Sequence, residues 1–333
     1  MLTAATCGFA ALCYAEFAAM VPVSGSAYTY AYASLGELVA WIIGWDLIVE
    51  YAVGNIGVAI GWAGYFRELL SHFGVALPAW LSTDIRSAHM AADAIKAGAT
   101  DATNVYLASA LDSAPTIRGI PVIANLPAFL IVALITVDPG DRHQGVGQFQ
   151  QRDGAPQDRD HPLLHRGWSH SDQADQLEQS RAGGFSPNGF KGISTGAAII
   201  FFSYIGFDAT STAAEESKNP AKDMPFGILM SLAVCTVIYI MLATVMTGMA
   251  PWNKLGTAEP MITALSLAEG SPRLIMISRF IVALGAVIAM TSVLLVFQLG
   301  QPRIFMSMAR DGLLPRSFPR STRASRLPIS APS

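Results

Sequence analysis

Residues 192–225 read "GISTGAAIIFFSYIGFDATSTAAEESKNPAKDMP". The run opens as an apolar helix long enough to enter a bilayer, yet its middle carries Ser203, Gly206 and Asp208, with Glu215 and Glu216 close behind. Glycine weakens a helix interior. An ionisable group in a membrane span is costly enough to require a bundle interior, a water-filled cavity or a partner. Two readings are open. Gly206 is a helix-packing residue with Asp208 near the interface, or the span is interrupted near the membrane midplane. An interrupted span frees backbone carbonyls and half-helix ends, which bind the charged parts of a substrate without charged side chains, as secondary transporters do.

The rest of the chain supports a membrane setting. Of 333 residues, 52% are hydrophobic and only 14% charged, with mean hydropathy +0.41, whereas soluble chains carry about a quarter charged residues. A net charge of -3, with basic residues scattered between apolar runs, gives no basis for a nucleic-acid partner. Cys7, Cys13 and Cys235 sit in apolar runs without metal-ligand spacing and are read as packing residues. No cofactor is indicated. The first run lacks a basic leader and contains Glu16, so it reads as a mature helix and not a signal peptide.

With about 20 apolar residues needed to cross a bilayer, spans are expected near 3–22, 37–66, 119–137, 193–213, 225–249 and 273–300. Trp41, Trp45, Trp62 and Tyr65 lie near the ends of the second, where interfacial aromatics gather. Residues 67–118 form an Ala-rich loop expected to hold short amphipathic helices. The loops after Thr210 and after Arg303 are rich in Lys and Arg and are therefore placed on the cytoplasmic side. The expectation is an all-α, multi-pass protein of the cell membrane.

"FFSYIGFDATSTAAEESKNPAKDMPFGI" (201–228) resembles the sixth transmembrane segment and following loop of the cationic amino acid transporter family, within the amino acid-polyamine-organocation superfamily. "GFAALCYAEFAAMVPVSGSAYTYAYASLGELVAWIIGWDLIVEYAVGNIGVAIGWAGYF" (8–66) resembles its second and third segments, and "LVFQLGQPRIFMSMARDGLLP" (295–315) its eighth. The resemblance covers most of residues 7–137 and 184–318. It implies a fold of two inverted five-helix repeats, here partial, lacking the first span and those after the eighth. It also implies an amino acid permease working by alternating access, not an enzyme, with the bilayer and an amino acid as partners and protons as coupling ion in the intact parent.

By the same likeness, the substrate site lies at Phe202, Ser203, Tyr204, Ile205 and Gly206. The carbonyls of Phe202, Ser203 and Ile205 receive the substrate ammonium, and Phe202 covers the ligand. The resemblance gives Glu16 and Asp208 gating or structural roles, and Pro22, Ser24, Gly25 and Ser26 a tight intracellular link. Asp46 and Glu50, one helical turn apart, either face a cavity or sit at the interface. Val296 and Phe297 either line a side-chain pocket or simply pack.

Residues 138–183 break the pattern. Where a fifth span is expected, the chain carries Asp138, Asp141, Arg142 and His143 and remains polar to the end of the segment. Dropping the first base of each codon explains this: "DPGDRHQGV" from Asp138 becomes compatible with "ILVIGIKES". Residues 138–183 are therefore read as an out-of-frame replacement of the fifth span, and 319–333 as a second out-of-frame tail. In proton-coupled relatives a lysine stands on the fifth span, and its codon would straddle Gln157 and Asp158. Such a chain is expected to be an inactive fragment. The rival is a membrane metalloenzyme using His161, His165 and His170. Pro162 disfavours it by breaking the helix that would align the first two.

Overall fold

A computed structural model describes residues 1–21, 25–96, 102–117, 120–137, 188–208, 211, 217, 219–257, 259–268 and 270–314. The segments 138–183 and 319–333, and with them His161, His165 and His170, lie outside the described residues. The helices are α1 (Leu2–Met20), α2 (Ala27–Leu35), α3 (Glu37–His72), α4 (Ala79–Ser82), α5 (Ile85–Lys96), α6 (Ala102–Ser113), α7 (Leu126–Val137), α8 (Gly189–Ile200), α9 (Pro220–Met249), α10 (Pro260–Leu267) and α11 (Pro272–Arg310). A two-residue antiparallel pair, β1 (Thr116–Ile117) with β2 (Ile120–Pro121), precedes α7.

Four helices, α1, α3, α9 and α11, are long and apolar enough to cross a membrane. Their outward faces need lipid: Val234, Val237, Ile238, Met241 and Val245 on α9 are each half-exposed or more. A contiguous apolar surface of this kind marks a membrane or partner contact and not a water-facing wall. The helix bounds refine the expected spans. The run expected from 119 becomes helical only at Leu126, where Asn125 Oδ1 accepts the Ala128 N–H at 3.1 Å and Pro127 sits in the first turn, needing no donor. At its far end α11 continues ten residues past the expected exit, through Pro302 to Arg310. Between residues 67 and 118 the described chain forms three short helices, α4, α5 and α6, of which α5 is amphipathic, with Ala88 and Ala91 facing inward.

The chain divides into two units. The first comprises Met1–Asn55, Phe190–Ile240 and Val296–Ser333. One of its cores is built around Cys7, Ala11, Ala18, Tyr30, Tyr204, Met224, Ile228 and Leu232. Small residues on α1 let the larger side chains of α9 and the Tyr204 ring close in. Elsewhere in this unit α3 and α11 approach through missing side chains. A Cβ on Gly54 would lie 3.1 Å from the Phe297 ring, one on Gly300 2.6 Å from the Tyr51 ring, and one on Gly44 2.6 Å from Met308 Sδ.

The second unit comprises Ile56–Gly189 and Met241–Leu295. Ala59, Trp62, Ala63, Ala128, Ile131, Ile135 and Leu294 form its main core. The buried Trp62 indole satisfies its N–H with Thr291 Oγ1 at 2.9 Å and the Val287 carbonyl at 3.1 Å. At the end of α3, Arg67 pairs with the buried Glu259 at 3.0 Å and lies 4.7 Å above the Tyr106 ring. Next to it Glu68 binds Arg279 at 2.7 Å. Burial pushes the Glu259 carboxyl above its usual range, and the Arg67 guanidinium opposes that shift.

Candidate functional site: an interrupted membrane helix

The sequence 193–213 does not form one span. Regular α-helix stops at Ile200, a single 3-10 turn covers Phe201–Tyr204, and Ile205 is extended at φ -59°, ψ 131°. Gly206 follows at φ 121°, a conformation that a side chain would strain. The interruption read from Gly206 and Asp208 is thus present, and it begins at the paired Phe201 and Phe202.

The freed backbone groups can be followed one by one. The Ile205 N–H reaches the Phe202 carbonyl at 3.4 Å, and the Ser203 carbonyl accepts the Tyr239 hydroxyl at 2.6 Å. Tyr204 is buried, shares a hydrogen bond with Thr236 Oγ1 at 3.2 Å and meets the Tyr239 ring edge-on. Phe202, by contrast, is 53% exposed. These contacts set the Ser203 and Tyr204 backbone against α9 and turn Phe202 outward.

Asp208 closes the interruption. It is 5% exposed, and its carboxylate accepts the Tyr51 hydroxyl at 2.9 Å, Ser26 Oγ at 3.2 Å and the Gly206 N–H at 3.3 Å. Three donors thereby compensate a carboxylate that would be prohibitively costly if buried bare. Ser211 returns its own N–H to the Asp208 carbonyl at 2.9 Å. The ring of Phe207, the residue before Asp208, packs edge-on against Tyr14 of α1.

Ser26 is placed for this contact by a sharp turn at Gly25 and Ser26, just before α2, whereas Pro22 and Ser24 lie outside the described residues. Gly25 has φ 140° and Ser26 φ 54°, and a Cβ on Gly25 would collide with Thr29 Oγ1. Below the link, Tyr28 is fully buried and donates to Asp311 at 2.6 Å. Burial first, and the Asp311 carboxylate second, hold the Tyr28 hydroxyl above its usual range.

Among the other residues singled out, Glu16 lies on the exposed side of α1 and Asp46 is exposed on α3. Glu50 is half-buried. Phe297 is buried against Tyr51, with ring centroids 5.6 Å apart, and Val296 is 36% exposed. Tyr51 and Tyr239 are the partners that sequence reasoning missed, and Ser26, read there only as part of the link, contacts Asp208 unforeseen. The available signal was a tyrosine in mid-span: its hydroxyl needs an acceptor once buried. Among the described residues, no group of three or more His, Cys, Asp or Glu side chains could hold a metal ion.

Known proteins resemble this chain along most of its length. The chain is 36% identical over 339 residues to the branched-chain amino acid permease BcaP of Bacillus subtilis, covering 96% of this chain and 60% of that protein. It is 36% identical over 325 residues to the methylthioribose transporter of the same organism, with the same coverage. The cationic amino acid transporter 4 of Homo sapiens is 30% identical over 326 residues, 96% of this chain and 45% of that protein. The chain thus spans about half to three-fifths of the length of these relatives, which are named as permeases and transporters and not as enzymes. The family described as amino acid permease matches residues 1–331. With four helices long and apolar enough to cross a membrane among the described residues and this match along its length, the chain is a multi-pass membrane protein and belongs to the amino acid permease family.

Proposed function

We propose that the protein acts in the cell membrane as a secondary active amino acid permease, and that the interruption at Phe202–Gly206 is its substrate site. The observation that carries this reading is an apolar helix that stops at Ile200 and turns through Gly206 at φ 121°. Backbone dipoles released there suit the ammonium of an amino acid, which carries three donors and no acceptor. Phe202, half-exposed beside the turn, serves as the movable cover. Asp208, held by Tyr51 and Ser26, keeps the interruption in shape, and Glu16 supports the adjoining link. Protons are the coupling ion in this reading.

Residues 138–183 are read as an out-of-frame stretch standing where a fifth span belongs, so that the chain as given is expected to be inactive and transport is expected of the intact parent with its shifted stretches restored. Two measurements test the reading. Resequencing through codons 138–183 should reveal compensating single-base shifts at its two ends; a clean single frame would refute that part. Uptake of radiolabelled amino acids into proteoliposomes should saturate for the restored protein and rise with an inward proton gradient. Failure of the restored protein to take up any amino acid would refute the permease assignment.

A further inference from the structure

Among the described residues, Asn55 Oδ1 is the one buried side-chain polar atom with no hydrogen-bond partner. Buried polar groups are almost always paired, and an exception calls for a specific explanation. Asn55 lies in α3 within the first unit, the same unit as the interruption. It stands one helical turn beyond Tyr51, whose hydroxyl reaches Asp208 at 2.9 Å. A turn of helix rises about 5.4 Å, so residues at i and i+4 share a face.

The direction of that step matters. Gly44 near the start of α3 meets Met308 near the end of α11, and Gly54 farther along α3 meets Phe297 earlier in α11, so α3 starts on the side where α11 ends. The crossing helices α9 and α11 follow one another, so α9 starts on that same side. From Asp208 the chain runs on to α9, and Phe202–Gly206 therefore lies on the other side of Asp208. Moving from Tyr51 to Asn55 along α3 goes the same way. The amide thus sits on the Asp208-facing side of α3, displaced from Tyr51 toward the level of the interruption.

The acceptors already present there are partly used. The Ser203 carbonyl takes the Tyr239 hydroxyl, and the Phe202 carbonyl takes the Ile205 N–H. An ammonium needs three acceptors. We infer that Asn55 is a substrate-binding residue, its Oδ1 accepting one N–H of the amino acid's ammonium opposite the backbone carbonyls of Phe202–Gly206. This inference rests on the substrate site proposed above. It adds a side chain from another helix to a site otherwise made of backbone.

The test compares the restored protein, the form expected to be active, with its Asn55→Leu and Asn55→Asp variants. Equilibrium binding of radiolabelled L-leucine and L-arginine is measured in detergent, with competition by L-leucine and by isocaproate, which keeps the side chain and carboxylate of leucine but lacks the ammonium. The unsubstituted protein should prefer leucine to isocaproate. Asn55→Leu should weaken amino acid binding by about tenfold and erase that preference, because a charge-assisted hydrogen bond is lost. Its ligand-free melting temperature should hold or rise, since an unpaired buried acceptor has been removed. Asn55→Asp keeps the acceptor and should keep the preference. Asn55→Ala serves the same comparison with less added bulk if the leucine variant fails to fold. A preference unchanged in Asn55→Leu or Asn55→Ala overturns the inference alone. Absence of amino acid binding by the unsubstituted protein overturns the substrate site and this inference together.

Discussion

Tyr51 donates its hydroxyl to the buried Asp208 carboxylate across 2.9 Å, joining the middle of α3 to the interruption after α8. The two residues are 157 positions apart, and the contact spans two helices that share no loop. Tyr51→Phe keeps the ring against Phe297 and removes only the donor. A hydrogen bond to a charged group contributes about 1.5–3 kcal/mol, so the melting temperature should fall measurably in a detergent-based thermal shift assay. Asp208→Asn should cost less than Asp208→Ala, because the amide still accepts from two hydroxyls.

Gly206→Leu places a side chain where φ is 121°. No neighbouring atom stands within 4 Å of the added Cβ, so the penalty is conformational and not a clash. Strain of about 1–3 kcal/mol is expected. The restored permease carrying this change should reach the membrane in normal amount and lose amino acid uptake; undiminished uptake would show that the turn is dispensable.

Gly300→Val should be worse than Gly285→Val on the same helix. At Gly300 the new Cβ meets the Tyr51 ring at 2.6 Å, whereas at Gly285 nothing lies within 4 Å. Overpacking of this kind costs about 1–3 kcal/mol. Comparative melting of the two variants would expose the difference.

Glu259 makes stability depend on pH in a defined direction. Its folded-state carboxyl is raised by burial, so it favours the folded state below the unfolded value of about 4.3 and loses that contribution as pH climbs through the folded value. The melting temperature should therefore decline as the pH rises above the ordinary carboxyl range. Glu259→Gln should flatten that slope. A slope that is identical in the two proteins would contradict the burial effect.

Long elements were legible in the sequence because lipid demands length and apolarity together. The four crossing helices follow directly from those runs. The interruption was legible as a defect, since Gly206 and Asp208 are poor company for Ile199 and Phe201. Its beginning at Ile200 was not, because a 3-10 turn through two phenylalanines leaves no polar mark. Helix ends were misplaced where proline acts in two ways: Pro127 opens α7, whereas Pro302 is carried inside α11. Least legible were the partners. Ser26, Tyr51 and Tyr239 find their acceptors 182, 157 and 36 residues away, a relationship that no local pattern encodes.

Gly44, Gly54 and Gly300 together have a mechanical consequence. Each receives a bulky side chain from the facing helix: Met308 at Gly44 and Phe297 at Gly54, with Tyr51 filling the notch at Gly300 in the reverse sense. A key cut on both sides cannot slide. Shifting α3 along α11 by one turn, about 5.4 Å, would drive all three bulky groups out of their notches at once, and rotation of either helix would do the same. The pair is therefore a fixed rail within its unit, held at three notches that only a joint separation of the two helices could release.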